Sequence, residues 1–177
     1  MLKKRTTILF FALLAVVILG FLVVLRLFPT THSASINRYA GEYGLDAHLI
    51  AAMIKCESNY DKEAESGKGA IGLMQLLPST AEWVAERCGA EYEETRLYDS
   101  EYNIRLGCAY FAYLKEQMGS EEMALAAYNA GPANVRAWEN QGITEAEEIP
   151  FPETRKYVDK VQKTKKIYKI LYAFKEI

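Results

Sequence analysis

From Ile8 to Leu25 the chain runs through eighteen residues without a charge, almost all of them apolar. Few structures can hold such a run. Its peptide groups must be satisfied within the segment itself, which means a helix, and that helix is long enough to cross a hydrocarbon core of about 30 Å. The preceding Lys3, Lys4 and Arg5 place the N-terminal end in the cytoplasm by the positive-inside rule and the rest of the chain outside. A cleaved secretory signal has a shorter apolar region followed at once by small residues. Here the run ends at Arg26, and Ser33-Ala34-Ser35 come well after it. The sequence therefore predicts an uncleaved signal-anchor over residues 1–28, a short tether over 29–34 and a domain over 35–177. No cysteine follows the run closely, which speaks against a lipid-modified anchor.

The domain has room for one proper core, and its periodicity is helical almost throughout. A helix around Ser35 to Tyr43 stops at Gly44, and Asp46 can cap the next, with Leu45 as a staple. Ser79 to Arg87 begins behind Pro78 and ends before Gly89. Asp99 can cap a long helix whose apolar face is Ile104, Cys108, Phe111, Leu114 and Met118, and Gly119-Ser120 breaks it. Ser120 can cap a helix to Asn129, and Gly131-Pro132 restarts the chain into a short one through Trp138. The prolines at 150 and 152 force extended backbone around Phe151. A last helix is predicted from Glu153 to Phe174, with Val158, Val161, Ile167, Tyr168 and Leu171 inward and the basic residues between Lys156 and Lys169 on a solvated face. Any β-structure is minor and falls near the loop from Ser66 to Gly72.

Within this pattern Glu57 is out of place. Leu49, Ile50, Met53 and Ile54 form an apolar face, and Glu57 follows Met53 by four residues and Ile54 by three. A carboxylate there is either a paired structural charge or a functional acid. If the site is dry, burial raises its pKa and lets it donate a proton near neutral pH.

Four motifs follow one another: Glu57-Ser58-x-Tyr60, Gly72-Leu73-Met74-Gln75, Ala127-Tyr128-Asn129-Ala130-Gly131 and Pro152-Glu153-Thr154-x-x-Tyr157-Val158. Together they resemble the catalytic domain of the soluble-lytic-transglycosylase (goose-lysozyme-like) family over roughly Ser35 to Ala173. The resemblance implies a mainly α, lysozyme-like domain behind one transmembrane helix, with peptidoglycan as substrate. It implies that one glutamate, here Glu57, protonates the glycosidic oxygen between MurNAc and GlcNAc. The same group then takes the proton of the sugar's C6 hydroxyl, which attacks C1 and leaves a 1,6-anhydro end. Such an intramolecular nucleophile needs neither a second carboxylate nor a bound water. Carried over residue by residue, Ser66, Gln75, Tyr128, Asn129 and Glu153 match substrate-contacting positions. Two of these have a plainer alternative, and a further motif residue reads as structural. Ser66 suits a turn among glycines, Glu153 suits the first turn of a helix, and Tyr157 reads as core support.

Other chemistries find little support. Four of the 21 basic residues (Lys3, Lys4, Arg5, Arg26) belong to the anchor, leaving 17 against 23 acids, so the domain has no bulk field for nucleic acid. His32 and His48 stand in no nucleophile or zinc motif, no loop has a calcium pattern, and no metal or cofactor is expected. Cys56, Cys88 and Cys108 allow three pairings but read best as small buried hydrophobes. A hydrolytic muramidase, which would need a second carboxylate or a positioned water, and a silent glycan-binding module remain the competing readings.

Overall fold

The protein is described by a computed structural model covering residues 2–173, in which residues 1–30 and 31–177 form two separate compact units. The first unit is helix α1, Leu2–Leu27. At 1.5 Å per residue it is about 39 Å long, and over Leu9–Leu27 none of its residues is buried. Apolar side chains such as Phe10, Leu13 and Val16 stand exposed all round it, as an apolar solvent would require.

The second unit is built from seven α-helices among the described residues: α2 (Ser33–Glu42), α3 (Ala47–Glu57), α4 (Pro78–Arg87), α5 (Ser100–Met118), α6 (Glu121–Ala130), α7 (Pro132–Glu139) and α8 (Pro152–Leu171). Local chemistry sets most of their starts. Asp46, Asp99 and Ser120 each accept a hydrogen bond from a first-turn amide, those of His48, Tyr102 and Met123. Pro78, Pro132 and Pro152 each open a helix, where the missing N–H costs nothing.

Two helices are buried all round and form the centre. Six successive residues of α3, Leu49 to Ile54, and five of α6, Met123 to Ala127, are buried. Burial of each large apolar side chain stabilises the fold by about 1.5–3 kcal/mol. Around them α3 packs along α8, and α6 packs against α5, α7 and α8. The only β-structure among the described residues is a pair of isolated bridges, Glu65 to Ile71 and Ile71 to Leu76, in the loop between α3 and α4.

Several details differ from expectation. Helix α2 begins at Ser33, and short 3-10 turns form at Glu94–Tyr98 and Ala146–Glu148. The inward row of α8 is Thr154, Val158, Val161, Thr164 and Tyr168. Ile167 is excluded from it and exposed, because successive steps of four, three, three and four residues keep Thr164 rather than Ile167 in line. Phe174, to which the periodicity extends the helix, lies outside the described residues. Lys165 leaves the solvated face. It is mostly buried and bridges Glu121 at 2.6 Å and Asp46 at 3.5 Å. All three cysteines are free thiols, and only Cys108 is fully buried.

Candidate active site

Glu57 is the last helical residue of α3 and continues the buried Met53–Ile54 side of that helix. It is half-buried, with part of its surface open to solvent. Burial pushes its carboxyl up to about 7 from an ordinary 4.5, against the opposing pull of the Tyr157 hydroxyl and the Lys160 charge. The group therefore exists as acid and as carboxylate in comparable amounts near neutrality. That is the condition a single residue needs to give a proton and take one back.

Behind the helix end, Ser58 donates its hydroxyl proton to the Leu73 carbonyl at 2.9 Å, with the Ile54 carbonyl at 3.2 Å. It thereby ties the acid's helix to the loop Gly72-Leu73-Met74-Gln75. That loop is held from its other side by α5. Buried Asn103 accepts from the Met74 amide at 2.8 Å and donates to the carbonyls of Ile71 (3.0 Å) and Leu97 (2.9 Å). Gly72 has a φ of +79°, and a Cβ there would lie 2.4 Å from both Leu97 O and Asn103 Nδ2. One turn on from Asn103, Gly107 leaves room for Met74, whose Sδ would be 2.2 Å from an added Cβ. Small and polar residues on α5 thus seat the loop against the core.

Tyr128 comes from the end of α6. Its hydroxyl donates to the Met74 carbonyl at 2.6 Å, and Glu57 is among the charges that act on it. The phenol is spent on the loop, so what it offers outward is ring rather than hydroxyl. Asn129 is exposed, and its Oδ1 accepts from the buried Thr154 hydroxyl at 2.9 Å, joining α6 to α8. Gln75, in a left-handed conformation with φ of 49°, gives its amide N–H groups to the carbonyls of Ala64 (2.9 Å) and Gly72 (3.0 Å). Only its Oε1 remains to face outward. Ser66 accepts from the amides of Ala70 (2.9 Å) and Lys68 (3.3 Å), a turn-forming arrangement that leaves its proton free to donate. Glu153 is exposed in the first turn of α8. Leu77 is 41% exposed, whereas Met74 is fully buried.

The structure gathers Glu57, Tyr128 and the Met74 backbone into one neighbourhood and adds Tyr157. The Tyr157 hydroxyl is buried, makes no hydrogen bond of normal geometry, and interacts chiefly with the Glu57 carboxyl. Its signal in the sequence is its place beside the buried row of α8, three residues after Thr154 and four before Val161. Lys160, one turn further, donates to the Cys56 carbonyl at 3.4 Å and brings a cation to the same helix end. Cys56 itself turns toward Thr164 at 3.7 Å, and burial holds its thiol above the usual range. The carboxylates of the loop after Glu57 are engaged at the surface: Asp61 with the Glu63 amide, Glu63 with Lys62, and Glu65 with the Tyr98 hydroxyl. Among the described residues no group of three or more histidines, cysteines, aspartates or glutamates is arranged to hold a metal ion.

The transglycosylase SLT domain family model matches residues 34–149, which takes in Glu57, Ser66, Gln75, Tyr128 and Asn129 and stops short of α8. The soluble lytic murein transglycosylase of Escherichia coli K12 is 34% identical over 143 residues, 76% of this chain and 22% of that protein. Membrane-bound lytic murein transglycosylase F of Desulfosudis oleivorans is 39% identical over 108 residues, 57% of this chain and 22% of that protein. An inactive Glu-to-Gln variant of the lytic transglycosylase Slt from Pseudomonas aeruginosa superposes with a TM-score of 0.76 at 38% identity, covering 81% of this chain and 24% of that one. The chain spans about a quarter of the length of these relatives. With two thirds of its length matched and the fold shared, the chain belongs to the transglycosylase SLT domain family.

Proposed function

We propose that this protein is a peptidoglycan lytic transglycosylase held in the cell membrane by α1, its domain lying on the extracytoplasmic side. It cleaves the β-1,4 bond between MurNAc and GlcNAc and leaves a 1,6-anhydro-MurNAc end. The observation that carries this reading is a single half-buried glutamate poised near pH 7, with every nearby loop carboxylate turned to the surface. As acid, Glu57 protonates the leaving oxygen. As carboxylate, it accepts the C6 hydroxyl proton while that oxygen closes onto C1, so water takes no part in the bond-forming step. Tyr157 and Lys160 favour the ionised form left after proton donation. Ser66 Oγ–H, Gln75 Oε1, the Tyr128 ring, Asn129 and Glu153 are assigned to the glycan strand.

Mass spectrometry of muropeptides released from purified sacculi in ¹⁸O-labelled water tests the assignment. The released glycan is expected to end in unlabelled 1,6-anhydro-muramic acid, one water lighter than a hydrolytic end. A reducing, ¹⁸O-labelled end that disappears in Glu153→Gln would instead make the protein a muramidase with Glu153 as its base.

A further inference from the structure

Helix α8 turns one row of residues to the core and leaves its opposite side uncovered. Between Lys156 and Ile170 five of its lysines are exposed, against one exposed acid, Asp159. Lys163 pairs with Asp159 at 2.7 Å, and Lys169, at the flank, pairs with Asp46 at 2.8 Å. Lys156 and Lys166 pair with no carboxylate among the described residues. The domain as a whole is acidic, with 17 basic residues against 23 acids. Its lysines are thus segregated onto one helix side, not mixed evenly with the acids over the surface.

Two isoleucines stand among these lysines. Ile170 is 77% exposed and Ile167 36%. At about 100° per residue, Ile170 lies about 160° around the helix from the buried Tyr168, which puts it on the outermost line of α8. Ile167, Lys166 and Lys163 precede it by three, four and seven residues and share its face. A merely solvated face explains the lysines but leaves the isoleucines without an apolar contact.

Whatever covers this face must offer negative charge and an apolar medium together. A soluble polyanion supplies only the charge. A second copy of this chain, meeting it face to face, would set lysine against lysine. An anionic bilayer supplies both. Its headgroup phosphates meet the ammonium groups, its acyl boundary takes the isoleucines, and the lysine stems lie along the apolar layer. The apolar helix α1 gives the chain an independent reason to be at such a surface.

We propose that the outer face of α8, formed by Lys156, Lys163, Lys166, Ile167 and Ile170, docks onto the anionic lipid surface of the membrane that holds the protein. This rests on the membrane-anchored reading above and adds an orientation to it. The inner side of the same helix brings Tyr157 to Glu57. Docking α8 therefore stops the domain from turning freely and fixes how its acid is presented to the glycan.

The test uses the full-length protein reconstituted in vesicles of phosphatidylcholine alone or of phosphatidylcholine with phosphatidylglycerol, neither of which carries a primary amine. Acylation by an amine-reactive ester, read by mass spectrometry, reports the accessibility of each lysine in place. Rates are taken relative to Lys68 and Lys115, which are exposed on the α3–α4 loop and on α5. In anionic vesicles at low salt, Lys156, Lys163 and Lys166 are expected to react at least about fivefold more slowly than in neutral ones, the preference of one lysine for an anionic surface. High salt should remove the difference by screening. Ile167→Ser with Ile170→Ser, both at exposed positions, should weaken the protection of all three lysines. Equal relative rates in the two kinds of vesicle would overturn the proposal. So would protection that the double variant leaves unchanged, which would reduce the face to a contact for polyanions or acidic proteins. Failure of the underlying anchored reading looks different: the protein would leave the vesicles in an alkaline wash, whatever its lysines show.

Discussion

The buried hydroxyl of Tyr157 has the carboxyl of Glu57 as its chief interaction and makes no hydrogen bond of normal geometry. The two come from helices that pack along each other, α3 and α8, a hundred residues apart in sequence. A neutral donor beside an acid stabilises the carboxylate, so Tyr157 offsets part of the rise that burial imposes on Glu57. Tyr157→Phe removes that donor and leaves the ring. The expected outcome is an alkaline limb of the kcat/KM profile displaced to higher pH, since Glu57 then holds its proton longer. In the wild type that limb should fall through about pH 7. An unmoved or downward-shifted inflection in Tyr157→Phe would separate the two groups functionally.

Glu57→Gln should cost at least about 10²-fold in rate, the usual scale for a general acid–base group. Asp61→Asn, Glu63→Gln and Glu65→Gln, all at exposed positions, should change the rate far less. Stability supplies an independent readout. Because the folded pKa of about 7 lies above the ordinary 4.5, the folded state binds the extra proton between those values, and stability falls as pH rises through that window. Glutamine carries no charge to desolvate. The variant's gain in Tm over wild type should therefore be larger at pH 8 than at pH 5, and a pH-independent difference would contradict the buried acid.

How far the sequence revealed this site depends on the range of the contacts involved. The caps at Asp46, Asp99 and Ser120 were readable because each acts within three residues. Glu57 was readable because helical spacing alone puts it beside Met53 and Ile54. Gln75 and Tyr128 stood out by motif, yet their principal hydrogen bonds go to loop carbonyls, which spacing cannot disclose. Tyr157 read as core, since nothing local tells a buried phenol that supports packing from one that faces an acid across two helices. Asn103 went unremarked for the same reason: its three partners, at 71, 74 and 97, meet only in the folded chain.

Asp46 joins three helices at the far end of α3 from Glu57. It caps α3 and pairs with Lys169 at 2.8 Å, while Lys165 links it to Glu121 at the start of α6. Burial by itself would raise its pKa. The Lys169 hydrogen bond, the Lys165 charge and the His48 amide outweigh it and hold the carboxyl down at about 2. A depressed carboxylate contributes stability above its ordinary pKa of 3.8 and loses it as pH falls toward 2. Asp46→Ala should cost about 1–2 kcal/mol at neutral pH, the scale of a lost cap. In denaturant melts the gap from wild type should narrow between pH 4 and pH 2.

The apolar α1 sets where the protein fractionates. Full-length protein is expected to stay with membranes through an alkaline carbonate wash and to come off in detergent, because Leu9–Leu27 presents an unburied apolar surface long enough to span a bilayer. N-terminal sequencing should return the residues before Ile8. A mature chain starting near Ser35 in the soluble fraction would mean that the segment is removed.

The loop that accepts Tyr128 depends on one buried side chain, and this gives the most direct test of how the site is held. Asn103→Leu keeps the apolar volume of α5 but leaves the Met74 amide and the Leu97 carbonyl without partners, and takes one of its two donors from the Ile71 carbonyl, which keeps the Leu76 amide. At about 1–3 kcal/mol for each buried group left unsatisfied, the loss should reach several kcal/mol. Activity should fall further than the folded fraction does, since Met74 O anchors Tyr128 and Leu73 O anchors Ser58 beside Glu57. Gly72→Ala attacks the same joint from the other side, through a positive φ and a Cβ too close to Asn103 and Leu97. Each variant alone should loosen the loop. The double variant should lose less stability than the two single losses added together, because the second change acts on contacts that the first has already broken. Strictly additive losses in denaturant melts would show that Gly72 and Asn103 hold the loop independently, and that the joint inferred between them does not exist.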